Sequence, residues 1–112
     1  MTMFTNKPAC TIWEKTVVNH APAYIRHETG AVYWQDTRGQ SVQSGDARTP
    51  ADSVFLAIPA DSVGDYIPKK DDRVLPGSVP EASPPKTALT VMQVKDFRYG
   101  SAMMQHLEVS LA

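Results

Sequence analysis

Prolines constrain this chain more than any other residue type. They stand at positions 8, 22, 50, 59, 68, 76, 80, 84 and 85 of 112 residues, and a proline inside a helix removes a backbone donor and collides with the preceding turn. Few windows between them are long enough for an uninterrupted helix. The windows that remain, at 10–18, 23–35, 53–58, 89–97 and 102–111, are short and rich in β-branched and aromatic residues, which suit the pleated, half-buried surface of a sheet. The expected fold is all-β: a small β-barrel or sandwich of about five to seven antiparallel strands with two long loops.

The last window has the cleanest pattern. Leu107, Val109 and Leu111 alternate with His106, Glu108 and Ser110, as in a strand with one buried face. In Val54-Phe55-Leu56-Ala57-Ile58, Val54, Leu56 and Ile58 share one side, and the other carries Phe55 and the small Ala57, so both sides are expected to be at least partly covered. Between Leu89 and Phe97 the apolar parity changes, from Leu89 and Val91 to Met92 and Val94. A β-bulge or burial on both faces accounts for that change. Arg98-Tyr99-Gly100-Ser101 then joins the final two segments, with Gly100 able to supply the positive φ of a tight hairpin.

Residues 36–52 and 76–87 read as loops, the first from Gly39, Gly45, Pro50 and several Ser and Gln residues, the second from its prolines and Gly77. Both exceed the ~12 residues beyond which loops in compact domains are commonly functional or disordered, which makes them candidate contact surfaces. A short helical turn fits residues 59–66, with Asp61 or Ser62 as its cap.

The length suits one domain spanning 1–112, and 42% hydrophobic with 21% charged residues is a globular composition. A formal charge of −1 supplies no summed field to attract a polyanion or an anionic membrane. No apolar run approaches the ~20 residues of a membrane-spanning helix, and residues 1–5 lack the features of a secretory leader. The lone Cys10 has no disulfide partner and lies at the edge of an apolar segment, so it reads as an inert buried thiol.

Little in the residue pattern points to catalysis. His20, His27 and His106 lack metal-helix spacing and cysteine partners. Asp61, Asp65, Asp71 and Asp72 lack the ligand order of a calcium loop and read as turn formers. There is no nucleophile elbow and no Gly-rich phosphate loop, so neither an enzyme nor a cofactor is expected. Trp13, Tyr24, Tyr33 and Trp34, near Lys15, Arg26 and Arg38, leave open a strand platform stacking single-stranded bases, in which case affinity would depend on Trp13 or Trp34. Core and cross-strand packing is the ordinary role of such aromatics. A small sugar- or peptide-binding module is neither supported nor excluded.

Thr11-Ile12-Trp13, Ala31-Val32-Tyr33-Trp34, the segment Asp52-Ser53-Val54-Phe55-Leu56-Ala57-Ile58-Pro59, the acidic turn Asp71-Asp72-Arg73-Val74-Leu75-Pro76-Gly77 and the final hairpin follow one another in an order that covers most of the chain. That order resembles the phage head-closure family, small head-tail connector, stopper or minor capsid proteins. Arg98-Tyr99-Gly100-Ser101 followed by His106-Leu107-Glu108-Val109 carries the resemblance furthest. Asp71-Asp72 stands where the family usually has Gly-Asp, and residues 80–86 widen the gap after Gly77.

The resemblance implies a virion protein of the head-tail neck, made in the bacterial host cytoplasm. It implies a homo-oligomeric ring, hexameric or dodecameric, docked on a portal or adaptor protein and meeting a tail terminator or tail tube. Genomic DNA would pass through the lumen without sequence-specific binding, and no membrane is involved. On that reading Arg38, Asp46 and Arg48 in the first loop and Val79, Glu81 and Pro84 in the second are the expected ring-interface residues. A tail terminator, an adaptor ring or a small nucleic-acid-binding β-barrel are the alternatives.

Overall fold

The computed structural model describes residues 5–36, 54–100 and 105–112. Its strands are β1 (Cys10–Val18), β2 (Ala21–Glu28), β3 (Tyr33–Asp36), β4 (Val54–Pro59), β5 (Arg73–Pro76), β6 (Leu89–Phe97) and β7 (His106–Leu111). All pair antiparallel in one seven-stranded sheet of order β2-β1-β5-β6-β7-β4-β3. The fold is all-β, as the prolines require. The sheet does not close into a barrel, because β2 and β3 remain its two edges, and the arrangement is sandwich-like.

Strand β6 makes the fold possible. Its first residues pair with β5, Leu89 with Val74 and Thr90 with Arg73, whereas Val91 onward pairs with β7. The register shifts between Val91 and Gln93, so Met92 is an extra residue and half-exposed. A bulge of this kind bends the strand and increases its twist. It lets the β2-β1-β5 half turn over the β7-β4-β3 half, and it explains the parity change: Leu89 and Val91 are buried before it, and Val94 packs on the same core after it.

The two halves enclose a shared core of Cys10, Ile12 and Val74 from one and Trp34, Val54, Leu56, Ile58, Leu107, Val109 and Leu111 from the other, with Val32 and Val63 between them. Ile12, Leu56, Ile58 and Leu107 have no exposed surface. Burying one such side chain is worth about 1.5–3 kcal/mol, so truncating any of them removes a sizeable part of a domain's stability.

Several boundaries differ from the sequence reading. Window 23–35 contains two strands rather than one, since Thr29 bonds back to Cys10 and Gly30 donates to Ser62 O at 2.9 Å before β3 begins. Within the acidic turn, Arg73–Pro76 is a strand, β5, inserted between β1 and β6. The last strand starts at His106. The helical turn is a 3₁₀ turn at Ala60–Ser62 whose N-cap is Pro59 without a side-chain cap bond, so neither Asp61 nor Ser62 caps it.

Candidate functional site

Strand β1 is longer than its inner neighbour. It pairs with β5 only from Cys10 to Trp13, yet continues with β2 to the Val18–Ala21 pair. From Glu14 onward the hairpin is a two-stranded ribbon that projects past the sheet. Asn19 and His20 close it with φ of 52° and 65°, the left-handed pair that suits the twist of a two-residue hairpin. The ribbon carries exposed apolar side chains: Val17 at 66%, Val18 at 55% and Ile25 at 49%. Water contact on three large aliphatic groups in one hairpin favours association.

The outer face of this hairpin is covered near its base. Residues 77–88 run across it as a strap, held mainly by side chains of β1 and β2. Thr11 Oγ1 donates to Gly77 O at 2.8 Å and accepts from Val79 N at 2.9 Å. Trp13 Nε1 donates to Glu81 O at 2.8 Å, and Arg26 Nε donates to Val79 O at 2.6 Å. Ser78 Oγ donates to Glu28 Oε2 at 2.8 Å; that bond, and after it Arg26, holds the Glu28 carboxyl below its usual range. Gly77, at φ 84°, turns β5 into the strap, a conformation that costs a residue with a Cβ about 1–2 kcal/mol. Trp13 and Thr11 are fully buried beneath the strap.

At the foot of the ribbon lies a polar cluster. Asp72 is completely buried. Its Oδ1 accepts from Lys15 N at 3.0 Å, and its Oδ2 accepts from Lys69 N at 2.9 Å and Tyr66 Oη at 2.5 Å. The carboxylate takes the Lys15 N–H just past the Trp13–Arg73 pair, and so extends the ladder beyond the first residue of β5. Tyr66 stacks on His27 with centroids 4.1 Å apart, and His27 Nε2 lies 2.8 Å from Glu14 Oε1. Lys69 Nζ reaches Tyr66 Oη at 2.9 Å and Asp72 Oδ1 at 3.4 Å. Burial, and then the hydrogen bond to Asp72, push the Tyr66 phenol above its usual range, so it stays a proton donor to the carboxylate. The cluster ties the segment before β5 to the hairpin. Among the described residues no group of three His, Cys, Asp or Glu side chains is placed to hold a metal ion.

The expected interface residues fall unevenly. Arg38, Asp46 and Arg48 lie outside the described residues. Val79 and Pro84 are half-buried and Glu81 is exposed. Val79 and Glu81 hold the strap through their backbone groups. Pro84 lines an open groove of about 830 Å³ with Tyr24, Arg73 and Lys86. The second loop is therefore a fastened part of the fold and not a slack surface loop. Trp13, and Trp34 at 8% exposure, present no open ring face on which a base could stack.

The sequence reading missed the exposed ribbon and the Asp72 cluster. An Asn-led pair between two apolar segments was the available signal for the ribbon. The cluster has no sequence signal, because Glu14 and His27 meet only through β1–β2 pairing and Tyr66 reaches them from the segment before β5.

With the geometry in place, comparison with known proteins adds one finding. The family described as "Family of unknown function (DUF6751)" matches residues 4–111. The chain belongs to DUF6751. No curated protein and no solved structure matches it. The DUF6751 match spans the ribbon, the strap and the Asp72 cluster together, from before β1 to the end of β7.

Proposed function

We propose that the protein is a structural virion subunit of a tailed phage or prophage, one of a ring at the head-tail joint that closes the DNA channel after packaging and joins the tail. The observation that supports this reading best is the apolar-tipped ribbon standing out from a rigid β-sandwich. Val17 and Val18 remain exposed at its end, while its base is fastened by Asp72 and the strap. A rigid body with a fixed projecting arm suits assembly, where each subunit must reach a neighbour in a set orientation.

In this reading the partners are identical subunits, a portal or adaptor ring, and a tail terminator or tail tube. The near-neutral charge suits a lumen through which DNA slides without being gripped. The nucleic-acid-binding alternative is disfavoured by the burial of Trp13 and Trp34.

The test is electron microscopy of particles from a lysate in which the gene is inactivated. Emptied heads beside separated tails are expected, and Val17→Asp with Val18→Asp in a folded protein should reproduce them. Normal infectious virions from the inactivated gene would refute the proposal.

A further inference from the structure

The two edges of the sheet are treated differently. At the β3 edge, Asn6 and Lys7 close the backbone. Val32 O accepts from Asn6 N at 2.9 Å and Lys7 N at 3.1 Å, and Val32 N donates to Lys7 O at 3.0 Å. Asn6 then accepts from Trp34 N at 2.7 Å through Oδ1 and donates to Trp34 O at 2.8 Å through Nδ2. The side chain acts as one more residue of a strand.

Among the described residues strand β2 has no such guard. Thr29 N donates to Cys10 O at 2.9 Å, and in an antiparallel pair the residues facing the partner alternate with those facing away. His27, Ile25, Ala23 and Ala21 therefore bond to β1, and Glu28, Arg26, Tyr24 and Pro22 turn their backbone groups outward. Lys15, opposite Tyr24, confirms the phase, since its N–H points away from β2 to Asp72. Among the described residues the outward backbone groups of Tyr24, Arg26 and Glu28 have no hydrogen-bond partner, although Gly64 lies beside Glu28 O. A long open edge of this kind is a template for another strand.

We propose that β2 is a strand-addition site for a second copy of this chain, pairing antiparallel with β2 of that copy about a two-fold axis at Ile25. The β2 edge is self-complementary, which favours a second copy as its partner. Outward residues must face outward residues, so the allowed registers differ in steps. Placing Tyr24 opposite Arg26 of the second copy lets these residues exchange both backbone bonds on each side of the axis. The same register puts Ile25, 49% exposed, directly against Ile25 of the second copy. Centring on Arg26 would oppose two guanidinium groups, and centring on His27 would set Ile25 against the polar Thr29 of the second copy and not against another aliphatic side chain. Pro22, which lacks an N–H, then meets Glu28 of the second copy with its carbonyl alone and marks where the pairing ends. The guarded β3 edge cannot accept β2, so the contact closes on itself as a dimer. It neither requires nor builds a cyclic ring, and it stands apart from the virion reading.

The experiment is light scattering of the purified full chain across a concentration series, with cysteine cross-linking under mild oxidation. Wild type should be a dimer at high concentration. Ile25→Lys, which sets like charges across the axis on an already exposed position, should weaken dimerisation by at least about tenfold. Ile25→Cys should yield a disulfide-linked dimer, because facing non-hydrogen-bonded residues lie with Cα atoms about 4.5 Å apart. Ala23→Cys, opposite His27 of the second copy, should not link. Buried Cys10 does not compete. A monomer at every concentration, assemblies larger than a dimer, or equal linking through Ala23→Cys would each overturn the proposal.

Discussion

Replacing Asp72 tests the hairpin base at its most demanding point. The carboxylate has no exposed surface and accepts from Lys15 N, Lys69 N and Tyr66 Oη at 3.0, 2.9 and 2.5 Å. Asp72→Ala leaves all three donors without that acceptor. A buried orphan donor costs about 1–3 kcal/mol, and water recovers part of this next to the exposed Lys15 and Lys69, so the expected loss is about 3–4 kcal/mol. The Lys69 ammonium adds little, since its side chain is 54% exposed and such pairs contribute under ~1 kcal/mol. For a chain of this size the loss corresponds to a melting temperature roughly 12–16 °C lower. Urea and thermal unfolding measure it, and amide hydrogen exchange at Lys15 and Lys69 locates it. The neighbouring Asp71 is the control: it is exposed at φ 77°, so Asp71→Gly should be neutral or stabilise by up to ~1 kcal/mol. A loss below ~1 kcal/mol for Asp72→Ala, with the Lys15 amide still protected, would refute the account of the ladder end.

Three further perturbations follow from the same geometry. Burial pushes the Cys10 thiol up to about 11, so a thiol reagent at mildly alkaline pH should react with the native protein at least about a hundredfold more slowly than with the urea-unfolded chain. The Tyr66 phenol is raised above its ordinary value of 10.0 by burial and Asp72; the stability this confers is complete below that value and is lost as pH climbs beyond it. Ultraviolet difference titration with pH-dependent unfolding should show an alkaline loss that is smaller in Tyr66→Phe. His20, at φ 65°, occupies the hairpin position that glycine fills best, so His20→Gly should raise stability by about 0.5–1 kcal/mol in urea unfolding.

The strands were legible wherever the side-chain period was clean. Windows 10–18 and 89–97 coincide with β1 and β6, and Leu107, Val109 and Leu111 are buried as their alternation requires. Even the irregular parity around Met92 was informative, and pairing with β7 selected the bulge of the two explanations. Strand β5 was hidden by its length of four residues and its Pro76, which look like turn chemistry when read alone. Of the two loops, 76–87 became interpretable only when Trp13 and Arg26 were found beneath it, because a side chain bonding a distant carbonyl leaves no periodic trace.

What the sequence by itself determined was the class of structure: nine prolines exclude long helices, and the alternating apolar residues need a sheet with a buried face. Those are local facts, set by φ restriction and by the two-residue period of a strand. Tertiary structure decided which strands are neighbours, which edge is sealed and which is bare among the described residues, and that the side chains of two adjacent aspartates differ completely in environment. Asp71 is exposed and holds β6 through its backbone alone, N–H to Val91 O at 2.9 Å, whereas the Asp72 side chain is buried where β1 outruns β5 and accepts the Lys15 N–H. Such differences arise from contacts between residues 57 positions apart, and local propensity carries no information at that range.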